Sequence, residues 1–127
     1  MNAEAELFRV YRDWRRLALT ANKAIRTRNW KLFSDCHRAI QDYQSLAPRL
    51  TRAARAEWQR SGGDEREKES NLRATVAEIM NITRRNHTQL RQKLDEARQR
   101  REELSAASRN LHMIRRTYGQ IPGGQGS

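Results

Sequence analysis

The chain of 127 residues has little that would interrupt a helix: it holds 6 glycines and 2 prolines. The glycines fall at Gly62-Gly63 and from Gly119 onward, and the prolines are Pro48 and Pro122. Stretches so free of breakers argue for long helices and against a sheet. Hydrophobic residues make up 36% of the chain and aromatic residues 6%. That is thin for a compact core but enough for an apolar seam between a few helices. The lone cysteine, Cys36, excludes an internal disulfide and fits a reducing compartment. No apolar run approaches the roughly 18 residues of a membrane-spanning helix. The acidic start, Met1 to Glu6, lacks the apolar core of a secretory signal. Together these absences predict a cytoplasmic protein.

Catalytic equipment is scarce as well. His37, His87 and His112 form no pair four residues apart, and no Cys/His cluster exists, so no metal site is expected. Gly62-Gly63 lacks the Lys-Ser/Thr of a phosphate loop, and the tail glycines follow a helix instead of preceding one. Cys36 lies on an apolar seam, where a thiol is a packing group before it is a nucleophile. The expectation is a non-enzyme with no catalytic residue and no cofactor.

Charge, by contrast, is abundant. The net charge is +11, carried by 22 Arg and 4 Lys against 15 acidic residues, and the excess is spread along both halves. Arg suits phosphate recognition, although a GC-rich gene gives the same bias. Arg84-Arg85, Arg98-Arg100-Arg101 and Arg115-Arg116 are candidate phosphate contacts. They are interleaved with Asp95, Glu96, Glu102 and Glu103, a mixture typical of a solvated, salt-bridged helix face. A basic helical nucleic-acid-binding protein is therefore an alternative reading.

Periodicity predicts three helices, about 3–26, 30–60 and 64–118, and a flexible tail over 119–127. In the first, Leu7, Val10, Tyr11, Trp14, Leu17, Ala18, Ala21, Ala24 and Ile25 form one stripe. Thr27 to Trp30 reads as a tight break with Asn29 as N-cap. In the second, Phe33, Cys36, Ile40, Tyr43, Ala47, Leu50, Ala54 and Trp58 follow a heptad seam. Pro48 predicts a kink or short break near Ser45 to Ala47. Trp14, Trp30, Tyr43 and Trp58 lie on or beside seams and read as core or interface groups before base-stacking ones. In the third, Val76, Thr83, Leu90, Ala97, Leu104, Leu111 and Tyr118 lie seven apart, with Leu72, Ile79, Leu94, Ala107 and Ile114 close by. At 1.5 Å per residue this helix is about 80 Å long, more than either other helix can cover. The fold class is all-α: an elongated antiparallel hairpin or three-helix bundle with a long C-terminal helix. Asn86, beside the third seam, reads either as a register-setting polar group or as a functional one.

The stretch Glu78-Ile79-Met80-Asn81-Ile82-Thr83-Arg84-Arg85-Asn86-His87-Thr88-Gln89-Leu90, followed by Leu94, Leu104, Leu111 and Thr117-Tyr118-Gly119, resembles the FlgN-type flagellar export chaperones. In that family a long C-terminal helix carries an Asn followed four residues on by Leu, here Asn86 and Leu90. It ends near a Tyr-Gly pair, here Tyr118-Gly119. The resemblance implies a cytoplasmic chaperone that keeps hook-associated, hook–filament junction subunits unpolymerised and passes them to the type III export gate and its ATPase. It implies cargo contact through Leu104, Leu111, Ile114 and Tyr118, by packing of the cargo's C-terminal amphipathic helix. FliT-type chaperones are similar in size and helix count. The FliJ-type export-gate coiled coil is similar in its basic, helical character, but the break at Thr27 to Asn29 favours three helices over its two. A homodimer covering the free stripe is a further possibility.

Overall fold

A computed structural model describes residues 2–118, and within them the chain is helical with no strand. The helices are α1 (Ala3–Arg26), α2 (Trp30–Ser61) and α3 (Glu65–Tyr118). The predicted tail, with Gly119, lies outside the described residues. The chain divides into two compact units, one ending at Leu90 and the other starting at Arg91.

Helix ends follow local chemistry. Asn2 caps α1 by accepting from the Ala5 amide, and Asn29 caps α2 by accepting from Leu32 at 3.2 Å. α2 stops at Gly62, whose φ of 68° is the left-handed conformation that glycine adopts without a Cβ clash. Asp64 restarts the chain by accepting from the Glu67 amide at 3.1 Å. Acidic Glu65 and Glu67 in the first turn of α3, and Arg115 and Arg116 in its last, complement the helix dipole.

In the unit ending at Leu90, α1 supplies the densest packing. Every residue of its predicted stripe is buried except Leu17, which is half-buried. Three of its buried positions are Ala18, Ala21 and Ala24. Small side chains let two helix backbones approach, and α1 and α2 come within 8 Å, Cα to Cα. The start of α1 meets the end of α2: the Ala3 amide donates to both Glu57 carboxylate oxygens, at 2.6 and 2.8 Å. Leu7, Tyr11 and Trp14 then join Ala47, Ala54 and Trp58 of α2 and Leu72 and Ile79 of α3 in one apolar cluster. Burying each large aliphatic side chain contributes about 1.5–3 kcal/mol, so this cluster dominates the stability of the unit.

Three expectations need correction. Of the kink or short break expected near Ser45 to Ala47, the break is absent: α2 runs through Pro48. Proline leaves the Gln44 carbonyl without an amide donor, at a cost of about 3 kcal/mol. Ala47 and Ala54 are buried on the same side of α2, and their packing holds the helix across the defect. Trp30 is not a core residue: it is 42% exposed and makes an edge contact with Phe33. In α3 the buried line is Leu72, Ile79, Ile82 and Asn86, whereas Val76, Thr83 and Leu90 are half-buried on its margin. The seven-residue series thus runs roughly 50° of arc from the centre of the buried line.

Candidate functional site

α3 and α1 are joined by polar pairs at nearly constant separation. Arg15 donates to Glu78, 63 residues on, and Asn22 donates to Asn86, 64 residues on. Asn86 is only 7% exposed. Its amide nitrogen donates to the Ala18 carbonyl at 2.9 Å, and its oxygen accepts from Asn22 at 2.9 Å. Asn22 also donates to Gln89 at 2.7 Å. All of Asn86's polar atoms thus have partners inside the protein, and this geometry supports its register-setting reading. Leu90 is half-buried and lines a cleft of about 340 Å³ together with Phe33, His37 and Ile40.

The four remaining candidates lie beyond Leu90, in the second unit. Leu104 is 71% exposed, Leu111 49%, Ile114 52% and Tyr118 61%. Steps of seven, three and four residues put them on one side of the helix, within about 80° of arc. Leu104 to Tyr118 spans about 21 Å at 1.5 Å per residue. Leu94 and Met113 are exposed too, at 56% and 63%. Met113 lies nine residues from Leu104, half a turn away, and does not extend the stripe. Asn86 and Leu90 therefore belong to the packed unit, and the cargo candidates to the other.

Cys36 is 4% exposed, and burial pushes its thiol up from the ordinary range, with Asp35 adding to the effect. Among the described residues no group of three acidic, His or Cys side chains is placed to hold a metal ion. No described helix is long and apolar enough to cross a membrane.

A second surface escaped periodicity analysis. Arg16, Lys23 and Arg26 of α1 and Arg85 of α3 line an open concavity of about 660 Å³ with Asn22 and Gln89. No Asp or Glu occurs in residues 14–34 or in 79–94. Those two gaps in acidic residues are the signal that would have pointed to it.

No protein-family model, curated protein or solved structure matches the chain.

Proposed function

We propose that the chain is a cytoplasmic export chaperone of the FlgN type. In this reading the three helices form an elongated antiparallel bundle whose long C-terminal helix presents the stripe Leu104, Leu111, Ile114 and Tyr118 to cargo. The cargo is the C-terminal amphipathic helix of a hook-associated subunit, held unpolymerised until it reaches the export gate. The observation that carries the reading is the contrast within α3: Leu72, Ile79 and Ile82 are buried, whereas Leu104, Leu111, Ile114 and Tyr118 are 49–71% exposed. An apolar stripe rimmed by charge is the surface a partner helix needs. Chemistry is not required of such a protein, only masking and release.

The test is a pull-down at about 300 mM salt, where surface charge is screened. Full-length chain is compared with a form truncated after Arg101. Recovery of a hook-associated protein by the full-length chain alone supports the reading. Leu111→Asp and Tyr118→Asp should each weaken that complex by at least about tenfold, or 1.4 kcal/mol, with circular dichroism unchanged. Wild-type affinity in both variants would remove the stripe from the cargo site. A stripe found covered by a second copy of the chain in sedimentation would replace the chaperone by a self-associating coiled coil.

A further inference from the structure

Several basic residues of the first unit are paired with acids. Arg9 pairs with Glu6 and Asp13, Arg15 with Glu78, and Arg55 with Glu69. The Arg55 guanidinium even holds the Glu69 carboxyl below the usual carboxylate range. These cations are neutralised locally. Arg16, Lys23, Arg26 and Arg85 are exposed, line one concavity, and form none of the ion pairs among the described residues.

The fold gathers these four in one place. Residues 14–34 and 79–94 lack acidic side chains, and the Asn86–Ala18, Asn22–Asn86 and Asn22–Gln89 hydrogen bonds bring them side by side. Four like charges then share one open concavity, and nothing in its lining opposes them. Like charges held together raise the energy of the free protein and lower that of a complex with an anion.

From this we infer that the α1–α3 face binds the phosphate backbone of a nucleic-acid duplex without reading its sequence. Three features select that ligand. Arg16 to Arg26 covers about 15 Å of helix at 1.5 Å per residue, too long for one phosphate group and suited to a polyanion. Three of the four cations are Arg, whose fork matches phosphate oxygens. Leu19 is the one apolar residue in the lining, whereas a protein partner would call for an apolar, aromatic core. Backbone contacts of this kind fix position and carry no base readout. The inference does not rest on the chaperone reading, because it uses none of Leu104 to Tyr118.

The experiment titrates full-length chain into a fluorescent, mixed-sequence DNA duplex and follows anisotropy over a salt series. With four phosphates neutralised, the slope of log K against log salt should be about −3.6, roughly a hundredfold loss between about 50 and 200 mM. The triple variant Arg16→Glu, Arg26→Glu, Arg85→Glu should lose at least about thirtyfold in affinity and bring the slope near −1. A control with the same net charge, Arg38→Glu, Arg49→Glu, Arg60→Glu, changes exposed residues of α2 and should stay within about threefold of wild type. Circular dichroism verifies that both triples are folded. Absence of binding at about 50 mM salt would overturn the proposal. So would equal losses in the two triples, which would mean net charge alone. Equal competition by poly-glutamate, or tighter binding to phosphatidylserine vesicles than to the duplex, would assign the face to another class of partner and overturn it as well.

Discussion

Asn86 gives up its hydration to sit between α1 and α3, and both ends of its amide find partners there. Its replacement by Ala removes the donor to the Ala18 carbonyl and the acceptor for Asn22, and leaves a small void. Asn22 keeps its bond to Gln89. Asn86→Ala should therefore destabilise the protein by about 1–3 kcal/mol, read as a lower urea midpoint at unchanged m. No loss would mean that the amide's desolvation cancels its two bonds. The sequence placed Asn86 beside the seam and left its role open between register and function. Only the partner atoms, contributed by residues more than 60 positions away, support the register reading. Ile82 was missed for a related reason: its spacing fits only when Ile79 and Asn86, not Val76 and Thr83, define the centre of the buried line.

At the scale of the helix, α2 shows where local rules yield to packing. The rule that proline breaks a helix interior reflects one missing amide and one clash, worth about 3 kcal/mol. The buried flanks of α2, from Cys36 to Trp58, outweigh that sum. Pro48 is itself exposed, so Pro48→Ala restores a donor for Gln44 without disturbing the core. The variant should be more stable by about 1–3 kcal/mol, less the share returned by a more flexible unfolded chain. A lower melting temperature would instead show that Pro48 packs productively against Gln44 and Thr51, its neighbours in the adjoining cleft. The stripe of α1 was readable in full because a helix packed from several sides repeats its apolar groups without gaps. The cap at Asn29 was readable because one side chain determines it.

At the scale of the molecule, burial stops where the second unit begins. From Leu94 to Tyr118 every described residue but Ala106 is exposed. A helix without buried apolar contacts opens at a small free-energy cost. Brief trypsin digestion should therefore cut first at Arg98, Arg100, Arg101, Arg109 or Arg116, and leave a resistant fragment reaching back to the N-terminus. Early cuts at Arg12 or Arg52 would contradict that order of stability. The exposed stripe was legible in the sequence as a surplus of apolar spacing over what three helices can cover. The basic face was not, since composition reports a total of +11 and conceals which cations the fold leaves unopposed.

The matched separations between α1 and α3 also determine where this chain tolerates changes in length. Arg15 and Asn22 meet Glu78 and Asn86 at offsets of 63 and 64 residues. One residue inserted within α3 ahead of Asn86 would turn its side chain by about 100° and move it 1.5 Å along the axis, away from the Ala18 carbonyl. The same residue inserted at Gly62-Gly63 would be absorbed in the turn before α3 starts, and the pairing would survive. Space is open around Gly62. Related chains of different length should accordingly carry their insertions and deletions in the two turns, and keep the spans from Arg15 to Asn22 and from Glu78 to Asn86 at fixed length.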